Sequence, residues 1–206
     1  MNLEEEIKKL KPKIEDKIKE RLKEIQREKT PEGIMMELFF CIIVANNSIK
    51  NGECALNNIG KNLFTLKEND LKEQIKNTAR RFYNRKSEYL IEAREKEKLL
   101  LNILEKDITY IEKREEIVKN FKGIGYKEAS HFFRNIGYSN FAILDRHVLK
   151  ILKKSDIIEE IPKCLTKTKY LEIEEKLTKI TEKLKINHSE LDGYIFYLSS
   201  GRIFEH

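Results

Sequence analysis

Tryptophan is absent from the 206-residue chain, and cysteine, proline and glycine are scarce, with 3, 3 and 8 residues. The cysteines, Cys41, Cys54 and Cys164, are odd in number and far apart, which excludes a disulfide framework and a four-cysteine metal cluster. Few glycines and prolines interrupt the chain, and its apolar residues recur mostly at helical spacing. We therefore predict an all-α fold.

Long hydrophobic runs are also absent. Nowhere do 18 apolar residues follow one another, and the opening MNLEEEIKKL has no apolar core of the signal-peptide kind, so we expect a cytoplasmic protein. Lys and Arg outnumber Asp and Glu by 41 to 35, and the net charge of +6 suits a polyanionic partner. This excess favours nucleic acid only weakly, because surfaces rich in lysine and glutamate are also selected by hot environments.

Helix signals cover most of the chain. Apolar residues three and four apart form one stripe along a charged first helix: Ile7, Leu10, Ile14, Ile18, Leu22 and Ile25. Thr30-Pro31 has the N-cap and N1 pattern of a second helix, whose run from Ile34 to Ala45 is apolar nearly all round and predicted to be buried. Further helices are predicted at about 52–61, 67–78, 83–95, 97–104, 109–120, 146–154, 168–185 and 188–198.

The segment FKGIGYKEASHFFRNIGYSNFAILD, residues 121–145, places a Gly-Ile-Gly turn between two helical stretches. Gly123 and Gly125 can take positive φ and let the backbone approach a phosphate oxygen closely. The following helix would add its N–H groups and its dipole to the same anion site, while Ile124 would insert into the protein interior. A bare Gly-x-Gly also fits an ordinary helix corner, so the motif alone does not establish phosphate binding.

Two charged residues accompany the turn. Lys127 falls in the first turn of the second hairpin helix, where the dipole disfavours positive charge and so favours a neutral, nucleophilic amine. A solvated or phosphate-contacting lysine is the alternative. Asp145 precedes another helix, and we predict that it is the N-cap there. A carboxylate held in this way can also stabilise a developing cation.

These residues carry a family resemblance. The run GIGYKEASHFFRNIGYSNFAILDRHVL resembles the signature of helix-hairpin-helix DNA glycosylases with a lysine nucleophile, most closely the archaeal-type second family of 8-oxoguanine DNA glycosylase/AP lyases. Shorter similar segments extend the likeness over most of the chain: Glu37-Leu38-Phe39-Phe40-Cys41-Ile42, Arg81-Phe82, Ile161-Pro162-Lys163, Lys169-Tyr170-Leu171 and Leu191-Asp192. The resemblance implies two helical lobes with a DNA-binding cleft between them. Lobe A would span about 32–133 with the hairpin at 114–134, and lobe B would comprise 1–31 and 134–206.

The resemblance also implies a reaction. Lys127 would attack C1′ of the damaged nucleotide, displace 8-oxoguanine and form a Schiff base, after which β-elimination nicks the strand 3′ to the lesion. Asp145 would stabilise the oxocarbenium character of the sugar and assist proton transfer. This chemistry requires no metal and no redox cofactor. The expected partner is double-stranded DNA containing 8-oxoguanine, bound by a monomer that works with the chromosome.

Further residues would contact the DNA and the flipped base. The family pattern assigns base stacking to Phe82 and Phe196, although relatives usually have tryptophan at the second position. For either phenylalanine alone, core packing is the default. Asn46 would fill the space left by the flipped base and contact the orphaned cytosine, and a helix C-cap is an equal alternative. His147 would bind a phosphate.

Three segments depart from the family pattern. The chain ends Glu205-His206 where relatives end with a lysine, and the Glu205 carboxylate would accept the N7–H that only the oxidised base carries. Residues 47–52, NSIKNG, are more polar than expected, and Asn77-Thr78-Ala79-Arg80 replaces a Gly-His pair. For His131, four residues after Lys127, we predict a packing role.

Two alternatives stay open from the residues. One is a glycosylase of the same fold that acts on another damaged or mismatched base. The other is a non-catalytic helix-hairpin-helix module that only grips backbone phosphates, although such a module needs neither Lys127 nor Asp145.

Overall fold

A computed structural model of the protein describes residues 1–204, which form eleven α-helices and one 3₁₀ helix without any β-strand. The α-helices, numbered in chain order, are α1 Leu3–Ile25, α2 Pro31–Val44, α3 Ile49–Ile59, α4 Glu68–Thr78, α5 Tyr83–Glu95, α6 Glu97–Glu105, α7 Tyr110–Asn120, α8 Tyr126–Asn135, α9 Arg146–Lys154, α10 Lys167–Leu184 and α11 His188–Ser200, and the 3₁₀ helix is Gly60–Phe64. The all-α prediction is confirmed.

Side-chain caps explain where several helices begin. Thr30 accepts a hydrogen bond from the Gly33 N–H and Pro31 follows at N1, which confirms the predicted start of α2. The next helix begins three residues before the predicted start at about 52. Ser48 Oγ accepts from the Asn51 N–H at 3.2 Å, so α3 begins at Ile49. A serine within a polar run is a cap signal that the apolar pattern alone does not show.

Contacts between Cα atoms divide the chain into two compact units. The hairpin unit consists of residues 29–132 and holds α2 to α7 and the start of α8. The terminal unit consists of residues 1–28 together with the chain from Phe133 onward, and it holds α1 and α9 to α11.

Helix α2 forms the centre of the hairpin unit. Its residues from Leu38 to Val44 are all buried, as their apolar character predicted. Each large apolar side chain buried in this way contributes about 1.5–3 kcal/mol relative to exposure. Gly52 in α3 packs directly on α2, since a Cβ at this position would collide with Val44 Cγ1.

The terminal unit is built on the stripe of α1. Ile7, Ile14, Ile18 and Leu22 are buried, while the opposite face of the helix carries its charges. Within residues 1–204, no helix is both long enough and apolar enough to cross a membrane.

Candidate active site

The hairpin turn joins α7 to α8. Helix α7 begins at a capping box in which Thr109 and Glu112 satisfy each other's backbone N–H groups. Phe121 is its C-cap, and the Ile124 N–H donates back to the Phe121 carbonyl at 3.3 Å. Phe121 and Ile124 are both buried, which confirms that Ile124 inserts into the interior. These two buried side chains therefore anchor the turn to the protein interior.

The two glycines of the turn serve different purposes. Gly123 has φ 82°, and a Cβ there would lie 2.6 Å from Cδ2 of Tyr89, so both its backbone and its packing require glycine. Gly125 does not have positive φ. Its carbonyl accepts from the Ala129 N–H at 2.9 Å and so opens α8. The expected freedom of φ is used at Gly123 only, and Gly125 offers an exposed backbone at the helix N-terminus.

A chain of ion pairs fastens the hairpin to α5 and α6. Lys96 Nζ donates to the Asn120 carbonyl at 2.7 Å, at the end of α7. Glu92 pairs with Lys96 at 2.6 Å and with Lys122, within the turn, at 2.8 Å. The hydrogen bond from Lys122, followed by that from Lys96, holds the pKa of the Glu92 carboxyl below its usual range.

Buried polar contacts join α7 to α8. The guanidinium of Arg114 lies 5.2 Å from the ring centroid of Tyr126, and its Nη1 donates to Ser130 Oγ at 3.2 Å. His131 is also buried, with its ring edge-on to that of Phe40. This confirms the predicted packing role of His131.

Lys127 is held at the start of α8. Its side chain is 28% exposed, and Nζ lies 3.7 Å from Oε1 of the neighbouring Glu128. The amine is thus partly shielded yet accessible, with a carboxylate beside it. Sequence reasoning did not single out Glu128, because a glutamate in the first turn of a helix is an ordinary occurrence.

Asp145 caps α9, as predicted. Its Oδ1 accepts hydrogen bonds from the N–H groups of His147 and Val148, both at 2.8 Å. Both bonds end on one carboxylate oxygen, which leaves Oδ2 for another partner. The His147 side chain is exposed at the same helix N-terminus, where the dipole favours anions.

Asn46 and Phe82 both adopt left-handed backbone conformations, with φ 57° and 58°. Asn46 lies just beyond the end of α2, a position that tolerates asparagine. Phe82 lies at the N-cap position of α5 and is 54% exposed, with the Arg81 guanidinium 5.5 Å from its ring centroid. Core packing was therefore the wrong default for Phe82. An exposed phenylalanine with positive φ is unusual, and strained backbone of this kind concentrates at functional sites.

Phe196 is partly exposed on α11 and packs edge-on against Phe204, with ring centroids 6.4 Å apart. Phe204 is buried in a slot created by Gly193, where a Cβ would lie 2.6 Å from its ring. Arg21 Nε also donates to the Phe204 carbonyl at 3.3 Å. The tail is thus anchored up to Phe204, whereas Glu205 lies outside the described residues.

Comparison with known proteins decides the family. The family model described as Ogg-HhH, 8-oxoguanine DNA glycosylase, matches residues 14–186. The chain belongs to this family. An 8-oxoguanine DNA glycosylase/AP lyase from Methanocaldococcus jannaschii is 44% identical over 179 residues, covering 87% of this chain and 86% of that protein.

The fold of this chain superposes on solved structures of family members over nearly its whole length. The crystal structure of the Methanocaldococcus jannaschii enzyme in complex with a 15mer DNA containing 8-oxoguanine superposes with a TM-score of 0.93, at 40% identity and over 100% of both chains. The enzyme Tm1821 of Thermotoga maritima superposes with a TM-score of 0.90, at 35% identity and over 98% of both chains.

The two units of this glycosylase divide the predicted site residues between them. The hairpin unit contains Gly123, Gly125 and Lys127 on one hairpin, and Asn46 and Phe82 at the ends of two other helices. The terminal unit contains the remaining predicted residues that the structure describes: Asp145, His147 and Phe196.

Proposed function

We propose that Lys127 is the nucleophile with which this 8-oxoguanine DNA glycosylase/AP lyase excises the damaged base and cleaves the strand. The observation that carries the proposal is the placement of Lys127: its accessible amine stands in the first turn of α8, directly after an anchored hairpin turn. Membership of an enzyme family argues against the alternative of a non-catalytic phosphate-gripping module.

The proposed reaction has two stages. The neutral amine of Lys127 attacks C1′, and the glycosidic bond breaks as the base leaves with the bonding electrons and takes up a proton. Loss of a proton from the amine and opening of the sugar ring then produce an iminium ion. The iminium acidifies the proton on C2′, and removal of that proton expels the 3′ phosphate. Lys127 is released when water hydrolyses the iminium.

Asp145 would stabilise the positive charge that develops on the sugar while the base departs. The N-cap bonds to Oδ1 fix the orientation of the carboxylate before the substrate arrives, so no reorganisation is needed during the reaction. The free Oδ2 would face the charge or take part in proton transfer.

We propose that the hairpin and the start of α9 bind the phosphate backbone of the DNA. Gly123 and Gly125 expose main chain next to the N-terminus of α8, and the exposed His147 stands at the N-terminus of α9. Helix N-termini carry N–H groups without intrahelical partners and so favour phosphate oxygens. These contacts position the duplex but do not read its sequence.

Recognition of the lesion is proposed for residues that the structure leaves partly or largely exposed. Phe82 and Phe196 offer aromatic faces for stacking on a flipped purine, and Asn46 offers an amide for the orphaned cytosine. Glu205, the proposed acceptor for the N7–H of 8-oxoguanine, follows directly after the anchored Phe204.

The proposed substrate is double-stranded DNA containing 8-oxoguanine, bound by one copy of the chain. Since chromosomal DNA is the source of this substrate, we propose that the enzyme acts in the cytoplasm together with the chromosome. Analytical ultracentrifugation of the complex should therefore give a mass of one protein chain per duplex.

Trapping with borohydride tests the nucleophile. The reagent reduces the iminium to a stable amine, so the wild-type protein should form a covalent adduct with a duplex carrying 8-oxoguanine. Lys127→Gln should form none, because its amide cannot make a Schiff base. Lys119→Gln is the matched control, since it removes an exposed lysine from α7 and should leave trapping unchanged. Trapping by Lys127→Gln would defeat the proposal.

A further inference from the structure

A buried lysine, Lys86, connects the two segments of the hairpin unit that have strained backbones. Its side-chain Nζ donates to the Ile43 carbonyl at 2.5 Å, in the last turn of α2 and three residues before Asn46. Its backbone N–H donates to the Phe82 carbonyl at 3.0 Å, in the first turn of α5. One residue therefore contacts both the helix end next to Asn46 and Phe82 itself.

Left-handed backbone at residues other than glycine persists only where the surrounding structure holds it in place. Phe82 has no side-chain cap that would fix it, and no side chain within α2 supplies a cation to its last turn. Lys86 supplies the missing cation at the end of α2, and because it lies in the first turn of α5, it links that end to the backbone of Phe82. Its ammonium ends on a carbonyl at the negative end of α2, and its main chain closes the turn that Phe82 begins.

An ammonium is an expensive group to bury. Lys86 is only 3% exposed, and within residues 1–204 no carboxylate lies within 4.0 Å of its Nζ. Burial, with the charge of Arg81 adding to it, lowers the pKa of Lys86 to about 8. A leucine or methionine would fill the same space without this cost, so packing alone does not account for a lysine here.

We propose that Lys86 is a positioning residue for base flipping, which acts by holding Asn46 and Phe82 in a fixed mutual arrangement. The inference rests on the proposed roles of these two residues at the flipped base and at the orphaned cytosine. It adds a residue that touches neither DNA nor substrate, and that acts only through the two segments it joins.

Base flipping can be measured separately from the later chemistry by comparing two substrates. Excision of 8-oxoguanine requires the base to leave the duplex, whereas β-elimination at a preformed abasic site has no base to extrude. Lys86→Met should slow single-turnover excision about 10-fold or more, and should change cleavage of an abasic duplex by less than about 3-fold. Lys86→Arg, which keeps a charged donor, should recover most of the excision rate.

Lys98→Met is the matched control, since Lys98 is an exposed lysine of the same unit and its loss should leave both rates unchanged. Equal losses on the two substrates, or no loss with Lys86→Met, would overturn the proposal. If Lys86→Met is unfolded at the assay temperature, Lys86→Gln is used instead, and the same comparison of excision and abasic-site cleavage rates tests the proposal.

Amide hydrogen exchange tests, without an activity assay, whether Lys86 links the end of α2 to the start of α5. In Lys86→Met, exchange should accelerate together in peptides covering 44–48 and 80–84, while a peptide covering α7 keeps its wild-type rate. If Lys86→Met left exchange in both segments unchanged, Lys86 would not link them, whatever its effect on activity. A wild-type protein without excision would instead defeat the proposed function, and exchange would still decide whether Lys86 joins the two segments.

Discussion

Asp145 shows at the scale of one residue how an observed structural role and a proposed chemical role can fall on the same side chain. Oδ1 accepts two backbone N–H groups at the start of α9, and Oδ2 stays available. The N-cap role was predictable, because an aspartate directly before a helix satisfies N–H groups that lie two and three residues ahead of it in the chain. The chemical role came from the family resemblance and not from the cap.

Substitution separates the two roles of Asp145. Asn caps helices about as well as Asp, so Asp145→Asn should leave the unfolding free energy almost unchanged while lowering the excision rate by about 10²-fold, because the negative charge is lost. Asp145→Ala should lose the activity and also about 1 kcal/mol of stability. Urea unfolding and single-turnover excision measure both quantities. A fully active Asp145→Asn would exclude the electrostatic role.

The conformation of Phe82 was not predictable at this scale. Its neighbours in sequence favour a buried helical aromatic, whereas in the structure it has positive φ at the N-cap position of α5, where its carbonyl accepts from the Lys86 N–H. Asn46 is similar, because the sequence indicated only that α2 ends nearby. Contacts between residues about 40 positions apart, such as Lys86 with Ile43, are invisible to local patterns.

The buried ammonium of Lys86 also has a measurable effect on stability. The pKa of Lys86 falls from 10.5 to about 8 on folding, so between these pH values the unfolded chain binds a proton that the folded chain does not. The free energy of unfolding must therefore rise with pH across this window, by on the order of 3 kcal/mol in total.

Comparison with Lys86→Met isolates this contribution from that of other titrating groups, including the neighbouring Arg81, which are common to both proteins. Urea unfolding at pH 8 and at pH 10 should show the gain with pH in the wild type and a smaller gain in the variant. The same pH dependence in both proteins would show that Lys86 is not desolvated.

At the scale of elements, the hairpin is the feature that sequence patterns described best. Local signals sufficed for the α7 and α8 segments, for the buried Ile124 and for positive φ at Gly123. The anchoring of the turn by Glu92, Lys96 and Lys122 was not foreseen, since lysine and glutamate are abundant and most of them are solvated. The start of α3 lies three residues before the predicted position because Ser48 caps a polar segment.

The glycine of the turn can be tested against a matched glycine. Gly201 has φ 71° and ψ 10°, in the left-handed region, with open space around it, so Gly201→Ala introduces backbone strain alone, about 1 kcal/mol. Gly123→Ala adds a clash with the Tyr89 ring, and should cost about 1–3 kcal/mol more. Thermal unfolding compares the two, and only Gly123→Ala should also weaken binding to undamaged duplex. Equal losses of stability would show that Tyr89 gives way without cost.

At the scale of the whole molecule, composition indicated the helical class, and the family resemblance supplied the enzyme class. The weak positive charge could not do so alone, because +6 on 206 residues fits many proteins. Agreement with a relative over 100% of both chains shows that the resemblance extends beyond the densest motif. What the sequence could not show is which aromatic side chains stay exposed, since exposure depends on the packing of entire helices.

The net charge makes a prediction for the whole protein. If binding to undamaged duplex neutralises three phosphates, the affinity should fall roughly 40-fold between 50 and 200 mM salt, because counterions are released on binding. Fluorescence anisotropy with labelled duplex measures the slope. An affinity independent of salt would contradict binding through backbone phosphates.

The central claim is that one amine, on Lys127, makes the covalent bond to the sugar. Its most direct test is mass spectrometry of the borohydride-reduced adduct after digestion of both the protein and the DNA. We predict that the added sugar mass lies on Lys127, within the peptide that follows Gly125. A sugar mass on any other lysine or on the N-terminal amine, with Lys127 unmodified, would contradict the account.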